Sequence, residues 1–292
     1  MRVSLGDVSL DFEVSGANGR LSGTRSCDAR PSSRCTEGRG STERSSGCAV
    51  GPLADAACFV VPDQRGHGAS DLSTPDTWNL KTWGDDVARL CDALGIEHPV
   101  VLGTSFGGFV VQRYAADHPD EPAALILVST LGRFLTAEES VERFRAVGGN
   151  DAAEAMRRDL EEATEETAAE WDRVCGPLLR LRPDPLGDRL EAIRRRTLDV
   201  SLHFQRNEAR RMNLLPGLAA VRCRTLVLVG ADDPLVPVEA ANEVAEAIPD
   251  GLAQVEVIPH AAHELFSDAP DATYTAIGRF LGQVDRDATA PS

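Results

Sequence analysis

The sequence predicts an α/β fold: a mostly parallel sheet with helices on both faces and a helical block inserted before the last two strands. Three observations lead there. Short continuous apolar runs recur along the 292 residues, as strands covered on both faces require. Stretches of helical period separate them, and that alternation implies parallel strands joined by right-handed crossovers. From about residue 131 to 220 the alternation stops and the chain becomes helical and heavily charged.

The elements follow in order. VSLDFEV at 8–14 alternates apolar and polar residues, the pattern of a half-buried strand. CFVVPD (58–63), PVVLG (99–103), AALILVST (123–130), RTLVLVG (224–230) and AQVEVIP (253–259) are the apolar runs. Helices are expected at 80–94, where Trp83, Val87, Leu90 and Leu94 fall on one face, and at 106–117, 238–247 and 270–282. Inside the inserted block, Thr136 and Glu139 have capping-box spacing, and RPDPLGD (182–188) is a breaker. The expected organisation is a core of 1–130 and 221–285, a helical cap of 131–220 and a tail of 286–292.

One stretch resists this pattern. Residues 19–48, GRLSGTRSCDARPSSRCTEGRGSTERSSGC, hold six arginines, seven serines, five glycines and three cysteines, with Leu21 the one sizeable aliphatic residue. It has no helical or strand period and too little apolar surface to offset its ordering entropy, so disorder is expected there.

Composition narrows the function. The net charge is -16, which argues against nucleic acid and anionic membranes as partners. Cys58, Cys91, Cys175 and Cys223 are scattered singly, without metal-type spacing, and read as buried free thiols of a reducing compartment. No apolar run of eighteen residues and no secretory leader pattern occurs, so a cytoplasmic location is expected.

The chemistry is carried by VVLGTSFGGFV at 100–110, which fits G-x-S-x-G through Gly103, Ser105 and Gly107. An apolar strand precedes it and a helix follows, the context this motif requires. The turn is so tight that its flanking residues must be small, and it sets Ser105 at a helix N-terminus. There the Phe106 N–H is placed to receive developing negative charge. A serine nucleophile needs a base, and the base an orienting acid. VLVGADDPLVP (227–237) offers Asp232 and Asp233 just past a late strand, and Asp233 is preferred. VIPHAAHELF (257–266) offers His260 and His263, and His263, farther into the loop, is preferred. His98, His118 and His203 read as surface or packing residues and His67 as structural.

With DQRGHGASD (63–71), GTSFGG (103–108), GADDPLVP and HAAH in hand, the chain resembles the α/β-hydrolase fold superfamily over nearly everything except 19–48 and parts of the cap. The block from DQRGHG to YAADHP is further similar to proline iminopeptidase-like serine hydrolases. The resemblance implies an ester or amide hydrolase using Ser105, His263 and Asp233, with no cofactor or metal and a small-molecule or short-peptide substrate. The oligomeric state is open. If the enzyme is an aminopeptidase, Glu165, Glu166 or Glu170 of the cap would receive the substrate amine, although a solvated helix face is the simpler reading.

The resemblance also exposes a gap. A third, apolar strand ending in a His-Gly type motif normally supplies the second oxyanion N–H, and 19–48 stands where it belongs. That strand is therefore expected to be missing or replaced, and the second donor unknown. The composition is that of a GC-rich gene read out of frame by two compensating frameshifts; a genuine insertion is the rival. Loss of one oxyanion donor costs about 3 kcal/mol, so an impaired enzyme or a silent binding protein stays open beside the active hydrolase.

Overall fold

The computed structural model describes residues 1–16, 31–35, 53, 57–182 and 198–289. Among the described residues eight strands form one sheet: β1 (Arg2–Ser4), β2 (Ser9–Gly16), β3 (Pro31–Cys35), β4 (Cys58–Pro62), β5 (Val100–Thr104), β6 (Ala124–Val128), β7 (Arg224–Gly230) and β8 (Ala253–Ile258). Their order is β1-β2-β4-β3-β5-β6-β7-β8. The first two strands run antiparallel to their neighbours, and every other pairing is parallel.

Strand alternation divides the core. Val101, Leu125, Leu127, Val227 and Val229 point to one face, where they meet α1 (Leu80–Leu94), α2 (Phe106–Asp117) and α6 (Val238–Ala247). Val100, Leu102, Ile126, Leu226 and Leu228 point to the other, against α7 (Pro270–Thr289). This double coverage is why the strands read as continuous apolar runs rather than alternating ones. The last helix outruns the expected 270–282 because its buried stripe, Ala276, Ile277, Phe280, continues at helical spacing to Val284. Asn79 caps α1, its side chain accepting from the Thr82 N–H at 2.9 Å, and Gly95 ends it at φ 65°.

The third strand is a case of replacement. Pro31–Cys35, from within the anomalous stretch, pairs with β4 on one side and β5 on the other, with Ser33 opposite both Val60 and Val101. The slot lies between two buried strands, whose inner N–H and C=O rows would otherwise be unpaired at about 1–3 kcal/mol per group. Backbone pairing therefore fills it even where the sequence carries no apolar strand signal. Apart from 31–35, the stretch 19–48 and the disorder expected for it lie outside the described residues.

Between β6 and β7 come α3 (Ala137–Glu162), α4 (Glu165–Val174) and α5 (Leu198–Asn207). Thr136 and Glu139 form the expected capping box. Helix α3 is interrupted at Gly149 (φ 72°, ψ -161°), a conformation open to glycine. Of the expected breaker, Arg182 is described and 183–188 lies outside. Cys58, Cys91, Cys175 and Cys223 are buried and stand outside any disulfide, as expected.

Candidate active site

The site lies at the C-terminal edge of the sheet, where loops leave the ends of parallel strands. Strand β5 ends at Thr104, and Ser105 turns the chain into α2 at φ 47° and ψ -117°. That conformation is unfavourable for any residue with a Cβ and is held by its surroundings. The Ser105 N–H donates to the Val128 carbonyl at 2.8 Å, and the Ser105 carbonyl accepts from the Gly108 N–H at 2.9 Å. A Cβ at Gly103 would lie 2.5 Å from the Gly107 carbonyl oxygen, which is the close approach the motif demands.

The remaining members come from the far side of the sheet. Asp233 follows β7 and is 2% exposed. Its Oδ1 accepts from the Leu235 and Val236 N–H groups at 2.8 and 3.0 Å, leaving Oδ2 for His263 Nδ1 at 2.9 Å. His263 Nε2 lies 2.9 Å from Ser105 Oγ. A buried carboxylate, an imidazole and a hydroxyl thus form one continuous chain from residues far apart in sequence. Asp232 and His260, the alternatives, are exposed. The acid and histidine loops touch through backbone: the Asp232 N–H donates to the Ala261 carbonyl at 3.0 Å, and a Cβ at Gly230 would sit 2.1 Å from the Ala262 carbonyl oxygen.

Phe106 opens α2, so its N–H has no partner one turn back within the helix. Its ring is locked against Trp83, Phe204 and Phe109 at centroid distances of 5.2, 5.0 and 6.0 Å. Strand β3 ends beside the elbow, with Cys35 opposite Gly103, and the residues that follow it lie outside the described ones. Among the described residues no group of three or more His, Cys, Asp or Glu side chains is placed to hold a metal ion. None of the described helices is long and apolar enough to cross a membrane.

The other singled-out residues have structural surroundings. His67 is buried between Trp83 and Phe106, and burial lowers its pKa to about 4. Arg65 of the same loop is fully buried and grips Asp86 with two hydrogen bonds, at 2.7 and 2.8 Å. His118 pairs with Asp85 and Glu121, His203 packs edge-on to Trp78, and His98 is exposed. Glu166 and Glu170 face Arg158, while Glu165 is exposed. Sequence reasoning missed the groups that hold the site loops: Arg143, the Leu179 carbonyl, Ser129, whose Oγ donates to the His263 carbonyl at 2.8 Å, and buried Asp268. Arg143 is one of many helical arginines and the others act on or through backbone, so no residue pattern marks them.

A parallel sheet with a serine at a positive-φ turn after β5, and an acid and a histidine beyond β7 and β8, defines a recognisable class of fold. The family model of the alpha/beta hydrolase fold matches residues 44–270, and the chain belongs to that family. It is similar to 2-hydroxymuconate semialdehyde hydrolase of a Pseudomonas species, 28% identical over 242 residues that cover 80% of this chain and 79% of the relative. Among solved structures it is similar to a thermophilic esterase from Thermogutta terrifontis, with 27% identity, a TM-score of 0.69 and coverage of 97% and 99% of the two chains. It is also similar to proline iminopeptidase of Mycobacterium smegmatis, with a TM-score of 0.78, 99% coverage of both chains and 22% identity. That last likeness bears on the fold alone.

Proposed function

We propose that the protein is a serine hydrolase acting on an ester or amide of a small molecule or short peptide. The observation that carries this reading is the chain of 2.9 Å contacts from Asp233 Oδ2 through His263 to Ser105 Oγ. Ser105 Oγ attacks the carbonyl carbon while its proton passes to His263 Nε2, and Asp233 stabilises the imidazolium through Nδ1. The Phe106 N–H stabilises the oxyanion. The tetrahedral intermediate collapses, and the leaving group takes the proton from His263. Water then attacks the acyl-enzyme, giving a proton to His263, which returns it to Ser105 Oγ as the carboxylic acid leaves. The helical stretch 131–220 acts as a cap over this site, and the enzyme works in the cytoplasm.

An aminopeptidase reading would need a free carboxylate for the substrate amine. Two of the three candidates, Glu166 and Glu170, pair with Arg158, which leaves exposed Glu165 and favours the ester or simple amide instead. Hydrolysis of a proline arylamide in preference to an aryl ester would reverse that choice.

The test is covalent labelling by a fluorophosphonate probe. The folded protein is expected to label at Ser105, and Ser105→Ala to lose the label together with about 10⁴-fold or more of its turnover. A folded wild-type chain that takes no label sinks the proposal and leaves a silent binding protein.

A further inference from the structure

We propose that the helical block between β6 and β7 acts as a clamp that sets the geometry of the acid–histidine pair, with Arg143 and Asp268 as positioning residues; the inference rests on the serine-hydrolase reading. Arg143, on α3, donates from Nη2 to the Asp233 carbonyl at 2.7 Å and from Nε to the Pro234 carbonyl at 3.0 Å. A planar fork thereby fixes two consecutive peptide groups of the acid loop. One side of Asp233 is tied by its own downstream N–H groups and its backbone by Arg143, so the Oδ2 aimed at His263 has little freedom left.

The same block reaches the histidine loop by a second route. The Leu179 carbonyl accepts from both the His263 and Glu264 N–H groups, at 3.0 and 3.1 Å. Two residues on, the Leu181 and Arg182 N–H groups donate to Asp268 Oδ1 at 2.8 and 3.1 Å, while Asp268 Oδ2 accepts from Ala262 N–H at 2.9 Å. Asp268 is 1% exposed, and its carboxylate joins the segment that follows α4 inside the block to the residue just before His263. The acid and the histidine are therefore each held from the core on one side and from the inserted block on the other. A block that served only to cover substrate would need neither contact. Misplacement of a reacting group by about 1 Å costs on the order of 100-fold in rate.

The full-length protein is assayed on an aryl ester, with the concentration of competent sites counted by fluorophosphonate labelling. Arg143→Met is expected to lower kcat per labelled site about 10- to 100-fold with KM within about twofold. Arg143→Lys restores part of this, because an ammonium reaches one carbonyl but not both. Added guanidinium ion rescues Arg143→Ala. Asp268→Asn, which keeps the shape but turns one of the two accepting oxygens into a donor facing a backbone N–H, is expected to show the same split on kcat. A purely structural role would lower the folded fraction and leave kcat per labelled site at the parent value; that result in Arg143→Met overturns the clamp. If Arg143→Met does not fold, Arg143→Lys decides, and parental kcat per site overturns it equally. Absence of label on the wild-type chain instead refutes the serine-hydrolase reading beneath it.

Discussion

Strands β3 and β5 lie side by side, parallel and in register from Ser32 opposite Val100 to Cys35 opposite Gly103. They occupy equivalent positions by different means. β5, VVLGT, is buried along its whole length and has Val101 in one face of the core and Val100 and Leu102 in the other. β3 reads PSSRC and has no apolar residue but its cysteine. One strand is specified by its side chains, and the other by the two neighbours that need a partner. A central slot in a parallel sheet is thus a demand made by backbone, which a sequence satisfies well or poorly.

Three measurements break or sharpen this contrast. The largest effect belongs to Val101→Ser, which strips a fully buried branched side chain and leaves a hydroxyl in its place. It is expected to destabilise by about 4 kcal/mol, the sum of the lost burial and a polar group without a partner, read as a lower urea midpoint at unchanged slope. A loss below about 1 kcal/mol would place β5 in the same category as β3.

The next test uses the loop beyond β4, the other neighbour of β3. With a folded-state pKa of about 4 against an ordinary 6.5, His67 stays neutral in the native chain while the unfolded chain takes up a proton. Its contribution is complete above about pH 6.5 and is lost as pH falls through about 4. Between pH 7 and pH 5 this amounts to about 2 kcal/mol. His67→Phe should remove that part of the pH dependence of stability in urea titrations at the two pH values, and an unchanged dependence refutes the burial assigned to the ring.

The smallest effect is expected from Ser33→Val, which puts a β-branched residue opposite Val60 and Val101. It should stabilise by about 0.5–1 kcal/mol and raise Tm by a few degrees. A fall in Tm would mean that the slot selects against apolar residues, and the contrast between the two strands would need another cause.

The same distinction explains what was legible in the sequence. The elbow was, because its glycines, apolar strand and serine are residue-type requirements; so were Asp233 and His263, which lie just past strong strand signals. Asp232 and His260 are exposed and Asp233 and His263 are in contact, a difference of loop position relative to a strand end that spacing sets. Strand β3 was not legible, since ladder hydrogen bonds come from peptide groups that every residue carries. Nor was the grip on the site loops: Arg143 acts on the carbonyls of Asp233 and Pro234, and Leu179 contributes only its own carbonyl. Such contacts leave little mark on residue identity at the accepting end.

The close backbone approach of the β7 and β8 loops, with Gly230 under the Ala262 carbonyl and Asp232 donating to Ala261, means that Asp233 and His263 are assembled by each other's loops. Ser105 arrives separately on β5. The side chain at 105 can therefore be exchanged without disturbing the backbone contacts that hold the Asp233 and His263 loops together.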